Sequence, residues 1–281
     1  MECGLIRRSK SLWSSPLHLQ PKPNTKEVRP CDDYRALNAA TTPDKYPLPY
    51  LQDFAQQLDG RIVFSKIDLV KAFHHICINL DDIPKTAITT PFGLFEYIRM
   101  PFGLRNAPQT FQRFMDIVLQ GLPYVFCYID DILIASESFD QHLIHLREVF
   151  ARLNSNGLTI NAAKSVFGQR DLKFLGHYVD TTGIRPTEQR VNCINEFPVP
   201  TTTKQLRRFL GMVNFYHRFI DHAAEILAPL NELLKTESKK IEWSEQAQKS
   251  FDQVKNILST GTLLHHYLKE QHSAFPPTLH P

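Results

Sequence analysis

The stretch Tyr124-Val-Phe-Cys-Tyr-Ile-Asp-Asp-Ile-Leu-Ile-Ala135 decides how this chain is read. Two short apolar runs, Tyr124 to Ile129 and Ile132 to Ala135, flank a bare pair of carboxylates. The runs are rich in β-branched and aromatic residues, which predicts two buried strands joined by a tight turn at Asp130-Asp131. Asp is a common turn former, so the pair can simply make the hairpin. It can equally be two charges on a rigid scaffold, held where a divalent cation neutralises them. Adjacent carboxylates in an apolar setting repel each other and are poorly solvated, which favours a cation.

Upstream, Arg61-Ile-Val-Phe-Ser-Lys-Ile-Asp-Leu69 reads as a strand with Asp68 at its C-terminal end. A lone Asp there is ordinarily a cap or turn residue, and it matters only if it meets Asp130 and Asp131 in space. Before it, the Pro-rich stretch Pro43 to Pro49 cannot be helical, and a helix is expected from about Pro49 to Leu58. Thr86 to Thr90 and Phe95 to Arg99 predict a hairpin turning at Pro91-Phe-Gly93, and Met100-Pro-Phe-Gly103 a second turn. Pro108 then opens a helix with Phe111, Phe114, Met115, Val118 and Leu119 at helical spacing, a stripe most simply read as core.

Downstream, Asp140 is placed to cap a helix with Leu143, Leu146, Val149, Phe150 and Leu153 inward and Asn156-Gly157 closing it. Lys173 to Val179 reads as one short strand. Thr202 or Thr203 starts a long helix with Leu206, Phe209, Leu210, Val213, Tyr216 and Phe219 on its apolar face. Arg207, Arg208, His217 and Arg218 make that helix basic, as a solvated face or as a face along a phosphate backbone. Residues 1 to 30 are broken by Pro16, Pro21, Pro23 and Pro30 and predict loops with short edge strands. Lys10, Lys22, Lys26 and Arg29 there are either solvated surface or phosphate contacts. The last ten residues show no pattern and are expected to be disordered.

The 281 residues, 42% hydrophobic and 22% charged, have an ordinary globular composition with length for a real core. A net charge of +3 permits a nucleic-acid partner without requiring one. The five cysteines, at 3, 31, 77, 127 and 193, show no Cys-x-x-Cys spacing. That argues against a disulfide framework or zinc site and suits a reducing compartment. No apolar run reaches the ~18 residues of a membrane span. The first residues lack the apolar core of a signal peptide.

One strand-end Asp and two in a central hairpin are the carboxylates that two-metal phosphoryl transfer needs, and basic segments would supply phosphate contacts. A nucleotidyl transferase is therefore plausible on residues alone. The residues then resemble a known family. Phe64-Ser-Lys-Ile-Asp-Leu69, Met100-Pro-Phe-Gly-Leu104 with Asn106-Ala-Pro108 and Thr110-Phe-Gln112, Tyr128-Ile-Asp-Asp131 and Phe174-Leu-Gly-His177 stand in a telling order and spacing. It is that of the reverse transcriptases of gypsy-like long-terminal-repeat retrotransposons. Arg29-Pro-Cys31 with Asp33-Tyr-Arg-Ala-Leu-Asn38, and Thr182-Gly-Ile-Arg-Pro186, fit as well. The likeness runs from about residue 2 to residue 265. Tyr-x-Asp-Asp alone is a weak signal, but the ordered set is very specific.

The resemblance implies an α+β fold, a right-hand polymerase with fingers, a palm of antiparallel sheet with helices on one face, and a helical thumb. Fingers and palm would interleave over 1–180, the thumb would take 181–235, and 236–281 would be a truncated connection segment with a disordered tail. It implies RNA-directed DNA synthesis: deoxynucleotides added to a primer 3′ end on an RNA or DNA template. The metal ligands would be Asp68, Asp130, Asp131 and the Leu69 carbonyl, holding two Mg2+ ions with Mn2+ as a substitute. Phe73 would pack against the nucleotide sugar and exclude a 2′-hydroxyl. Arg29 and Lys22 would bind the triphosphate, and Pro101, Phe102 and Gly103 would line the nucleotide and template path. Lys164 would protonate the leaving pyrophosphate, and Leu175 and Gly176 would form the primer grip. The implied partners are primed template and deoxynucleoside triphosphates, with no membrane. The implied location is intracellular, in the cytoplasm or a virus-like particle. The oligomeric state is not readable.

The chain also departs from the family pattern. Asp32 stands where Gly is usual, Val28 where Trp is common, and Leu12 where Pro is usual. A carboxylate at 32 near Arg29 is expected to weaken nucleotide affinity by like-charge repulsion. The expected ribonuclease H carboxylates are missing from the tail, so the chain reads as an isolated polymerase module. The rival reading is a catalytically dead remnant that still folds and binds nucleic acid.

Overall fold

In the computed structural model, Val125–Tyr128 and Asp131–Ser136 pair as an antiparallel hairpin, with Tyr128 opposite Asp131. The turn therefore falls on Ile129-Asp130, one residue earlier than the sequence suggested, and Asp131 already belongs to the second strand. The turn is unusual because its first central residue is a β-branched Ile with φ of 55°. That region is normally left to Gly or Asn, so no local signal marked it.

The structure describes residues 4–21, 28–217, 220–235, 241–259 and 264–265. In chain order these form β1 (Ile6–Arg8), β2 (Ser15–Pro21), β3 (Val28–Asp32), α1 (Arg35–Ala40), α2 (Leu51–Phe54), β4 (Val63–Asp68), β5 (Ile88–Thr90) and β6 (Gly93–Tyr97). There follow α3 (Ala107–Val118), β7 (Val125–Tyr128), β8 (Asp131–Ser136), α4 (Phe139–Ser155), β9 (Val166–Gln169), β10 (Leu172–Phe174), β11 (His177–Asp180) and β12 (Gly183–Pro186). The last elements are α5 (Glu188–Asn195), α6 (Thr203–Asn214), α7 (Ala223–Glu232), α8 (Glu245–Ser259) and β13 (Leu264–His265). The fold is α+β, as expected.

The chain divides into two units. The first comprises Met1–Tyr50, Ser65–Ile134 and Phe139–Phe167, and the second Leu51–Phe64, Ala135–Ser138 and Gly168–Pro281. In the first unit, a sheet of order β1-β6-β5-β2-β3 is antiparallel except for the β2–β5 pair. The prolines did not confine this region to edges: β2 is an inner strand of seven residues. Pro16 has no N–H to give, but its carbonyl accepts from Asp33 N–H at 2.9 Å.

The core of this unit gathers Ile67, Ile132 and Ile134 from β4 and β8 with Phe111, Met115 and Val118 from α3 and Leu146, Val149 and Leu153 from α4. The α3 stripe is core, as its spacing predicts. On α4 the inward face starts elsewhere than expected. Leu143 is exposed, whereas His142 and His145 are buried. Each imidazole has a partner that explains this. His142 Nε2 lies 2.6 Å from Ser65 Oγ, and the His145 ring stacks on Tyr124 with centroids 3.4 Å apart. Asp140 lies in the first turn of α4 rather than capping it.

The second unit begins with α2 and a 3-10 turn, Ala55–Leu58, together filling the helix predicted to end at Leu58. Lys173 to Val179 is not one strand. Leu175 (φ 47°) and Gly176 (φ 79°) form a two-residue turn between β10 and β11, with Phe174 opposite His177. Positive φ at both central residues is the type I′ hairpin geometry. The sequence hid it because Leu, not Asn or Gly, takes the first position. α6 starts as predicted, with a capping box in which Gln205 N–H donates to Thr202 Oγ1 at 3.3 Å and Thr202 N–H to Gln205 Oε1 at 3.2 Å. Its face buries Leu206, Phe209 and Val213, with the Phe209 ring 4.6 Å from that of Phe251 on α8. Arg218 and Phe219 lie outside the described residues. Cys31, Cys77, Cys127 and Cys193 are free thiols. Among the described residues no helix is long and apolar enough to cross a membrane.

Candidate active site

Three short structures of the first unit position the carboxylates. β4 ends at Asp68, and its next residues pair with the segment 159–165. Val70 N–H donates to Thr159 O at 2.8 Å, and Asn161 N–H to Asp68 O at 2.8 Å. Asp68 N–H donates in turn to Ser165 Oγ at 3.1 Å. Both backbone groups of Asp68 are thus engaged by one turn. Lys164, exposed, belongs to that turn, its N–H donating to Asn161 O at 3.1 Å. Leu69 is buried and bridges to Ile160.

Asp130 sits in the hairpin turn, half-buried. Burial pushes its carboxyl above the usual range; a hydrogen bond from its own backbone N–H opposes this, the charges of Asp131 and Asp68 add to it, and Lys66 pulls back least. Asp131 is 2.8 Å from Lys66 Nζ. Lys66 is one residue from Ser65 and two from Asp68 on β4, so this strand brings both an acid and a cation to the hairpin. Sequence reading passed over Lys66, although its alternation with Asp68 along the strand put both on one face.

The turn itself is held from below by α3. The buried amide of Gln112 accepts from Ile129 N–H at 2.7 Å and donates to Cys127 O at 3.0 Å. A left-handed β-branched residue costs about 1–3 kcal/mol and survives only where its surroundings over-determine it. The amide and the packing of the Ile129 side chain on the core do so here. In the sequence Gln112 stands within the Thr110-Phe-Gln112 segment. Its position three residues before Met115 and seven before Leu119 put it on the inward face, and a polar residue there was the available signal.

A second cluster surrounds Phe73, in the 3-10 turn Ala72–His75. Its ring lies 5.0 Å from that of Phe102 and 5.7 Å from that of Phe111. Pro101 is buried and Phe102 half-exposed. Gly103 has φ of 91°, donates nothing from a side chain, and offers its carbonyl to Asn38 Nδ2 at 2.8 Å. A Cβ there would meet the Asp32 carbonyl only at 3.4 Å, an ordinary contact, so it is the backbone conformation rather than the space that calls for glycine.

Asp32 itself is half-buried, and its Oδ1 has no hydrogen-bond partner. Burial raises its carboxyl above the usual value, and a hydrogen bond with Tyr97 lowers it by less. The folded state therefore holds this proton more tightly than the unfolded chain, whose value is 3.8. Stability from this group is present below 3.8 and falls as pH rises through the folded value. Asp32→Asn should raise the melting temperature at neutral pH, and the gain should vanish on acidification. Melting curves of both proteins across pH check this, and a gain that is the same at every pH would refute the assignment.

Arg29 lies on β3 with Gln20 opposite it. Lys22 is outside the described residues. Leu175 and Gly176 belong to the second unit. There a Cβ on Gly176 would fall 2.3 Å from Arg190 Cζ, so the guanidinium occupies the space a side chain would take. That guanidinium also lies over the Phe215 ring, 5.2 Å from its centroid.

Among the described residues, no three His, Cys, Asp or Glu groups are arranged to hold a metal ion by themselves. The donor set still suits a hard cation shared with a phosphate-bearing substrate, because Mg2+ sites of that kind use one or two carboxylates and leave the remaining positions to water and phosphate. Asp130, destabilised by burial and by two neighbouring carboxylates, is a group whose charge such a cation would relieve.

Residues 20–179 match the family model described as reverse transcriptase (RNA-dependent DNA polymerase). The chain is 39% identical over 280 residues to the retrovirus-related Pol polyprotein from transposon opus of Drosophila melanogaster, covering 94% of this chain and 28% of that protein. It is 34% identical over 269 residues to the transposon Tf2-3 polyprotein of Schizosaccharomyces pombe, covering 95% of this chain and 20% of that protein. It thus spans about a quarter of the length of these relatives. Among solved structures, the foamy viral protease-reverse transcriptase dRH in complex with double-stranded DNA superposes with a TM-score of 0.84 at 27% identity, over 94% of this chain and 47% of that one. The foamy viral protease-reverse transcriptase in complex with RNA/DNA hybrid gives 0.77 at 27% identity, over 93% and 36%. The family match over residues 20–179 and the identity to these polyproteins show that the chain belongs to the reverse transcriptase family and is similar to the form carried by retrotransposon Pol polyproteins.

Proposed function

We propose that this chain is an RNA-directed DNA polymerase that extends a primer 3′ end with deoxynucleotides on an RNA or DNA template. The observation that carries the reading is the carboxylate turn: Asp130 and Asp131 lie at a hairpin fixed by α3, and the 2.8 Å Lys66–Asp131 ion pair brings β4, which ends in Asp68, to it, in a chain of this family. The foamy viral structures hold double-stranded DNA or RNA/DNA hybrid, which supports a nucleic-acid duplex as partner here. Fingers and palm would occupy 1–180, the thumb 181–235 and the connection segment 236–281. The place of action would be intracellular, in the cytoplasm or a virus-like particle.

In this reading Asp68 and Asp130, with the Leu69 carbonyl, would hold Mg2+ ions, for which Mn2+ would substitute. Asp131 completes the cluster. Once bound, the ions would lower the pKa of the primer hydroxyl and stabilise charge on the α-phosphorus as pyrophosphate leaves. Lys66 offsets the charge of Asp131, so that the three carboxylates do not repel one another unchecked. Arg29 and Lys22 would bind the triphosphate, and Lys164 would give a proton to the leaving pyrophosphate. Pro101, Phe102 and Gly103 would line the template and nucleotide path, and Leu175 and Gly176 would support the primer.

Phe73, its ring braced by Phe102 and Phe111, would stand against the nucleotide sugar. Rejecting a hydroxyl by shape alone is worth about 10²-fold. Phe73→Val should therefore admit ribonucleotides up to about 10²-fold better, read as the ratio of kcat/KM for the two sugars. Unchanged sugar selectivity would remove Phe73 from this role. The polymerase reading as a whole is tested by primer extension on matched RNA and DNA templates. Extension on both is expected, and extension on DNA alone would make the chain a DNA-directed enzyme.

A further inference from the structure

We propose that Gln112 is a positioning residue for catalysis, whose buried amide fixes the Ile129-Asp130 turn and so the direction of the Asp130 carboxylate. The proposal rests on the polymerase reading above. Gln112 is fully buried on an otherwise apolar helix face, where an amide is retained only if each polar atom is satisfied. All of its satisfaction comes from the hairpin and from one carboxylate. Oε1 accepts from Ile129 N–H at 2.7 Å, and Nε2 donates to Cys127 O at 3.0 Å and to Asp116 Oδ1 at 2.8 Å.

These partners fix which way the amide points. Asp116 and the Cys127 carbonyl are acceptors, and Ile129 offers a donor, so a flipped amide would oppose like to like at three contacts. Asp116 is itself held, because its Oδ2 accepts from Tyr46 Oη at 2.6 Å. A chain of side chains thus runs from Tyr46 through Asp116 and Gln112 to the backbone on both sides of Tyr128.

The turn needs such a hold. Ile129 has φ of 55°, a conformation a β-branched residue leaves unless constrained. Were Ile129 to relax, the two-residue connection between Tyr128 and Asp131 would change shape, and Asp130, its other residue, would swing with it. The residue beside Gln112 on α3 is Phe111, whose ring braces Phe73. One helix turn therefore holds the carboxylate turn with residue 112 and the proposed sugar gate with residue 111, tying the two together.

Gln112→Met keeps the volume and removes acceptor and donors. In single-nucleotide addition it should lower kcat by up to about 10²-fold, the scale of a small misplacement of a reacting group, with nucleotide KM and template affinity unchanged. Amide hydrogen exchange should speed up at Ile129 and not at Leu133 in the centre of β8. In an Ile129→Gly background the same substitution should cost far less, since Gly adopts the turn without help. Should Gln112→Met unfold, the double variant carries the test through its own exchange and kcat. Wild-type kcat in folded Gln112→Met, or an equal loss in both backgrounds with Ile129 still protected, would overturn the proposal. Absence of extension by the parent would instead overturn the polymerase reading, and Ile129 exchange would still decide what Gln112 does.

Discussion

Asp130→Asn should cost nucleotide incorporation at least about 10³-fold, because the several kcal/mol of transition-state charge stabilisation that a carboxylate-held cation supplies are lost with the charge. The side chains have nearly the same shape, so the hairpin should keep its register and template affinity should not change. The same substitution should raise the melting temperature. Asp130 is ionised at a cost in the folded state, through burial first and then through the charges of Asp131 and Asp68. Its carboxyl is pushed up, so its charged form lowers stability as pH rises through the folded value, and the neutral amide is spared that loss. A dead but more stable protein is the signature of a group kept for function rather than for folding. Incorporation that survives the substitution would move the metal ligands elsewhere, and a lower melting temperature would mean that Asp130 holds the hairpin together.

Phe111→Ala should cost about 3–5 kcal/mol of folding stability, the range for emptying a fully buried aromatic site. Phe111 has no exposed surface and lies in the core that joins α3 to β4 and β8. Against the ~5–15 kcal/mol by which domains are stable, that is a large share. The effect should reach function too, because the Phe111 ring lies 5.7 Å from that of Phe73 and 6.1 Å from that of Phe114. With Phe111 gone, Phe73 loses one of the two aromatic rings that brace it, and sugar selectivity should fall along with stability. Denaturant titration and ribonucleotide incorporation by the fraction that folds check the two halves. A loss under about 1 kcal/mol, well below the usual cost of such a cavity, would mean that the site collapses without it.

Much of this was legible in the sequence, and the parts that were not share a cause. Apolar runs, a proline at a helix start and a Thr-x-x-Gln cap are local signals, and the hairpin, α3 and α6 formed where those signals stood. The two turns that matter most carry apolar residues in the left-handed region, Ile129 and Leu175. Turn statistics do not place Ile or Leu there, so the sequence pattern points to Asp130-Asp131 for the first turn and to an unbroken strand for the second, whereas the turns fall on Ile129-Asp130 and Leu175-Gly176. What overrides the statistics lies far away in sequence: Gln112 for the first, while Arg190 packs against Gly176 of the second. Buried polar residues were missed for the same reason. His142, His145 and Gln112 are inside because of Ser65, Tyr124 and Ile129, none of which is their neighbour along the chain. Asp68 was easier. It ends a strand that had to be buried, and only its meeting with Asp130 required the fold.

The measurement that tests the central claim most directly is a quenched, single-turnover addition to a DNA primer annealed to an RNA template. It uses the whole 281-residue chain, Mg2+ and one complementary deoxynucleotide. The account predicts a primer longer by one nucleotide, with the product absent when Mg2+ is withheld. A folded protein that binds the primed template and adds nothing would contradict it, and would leave the chain as a nucleic-acid-binding relic with its carboxylates still in place.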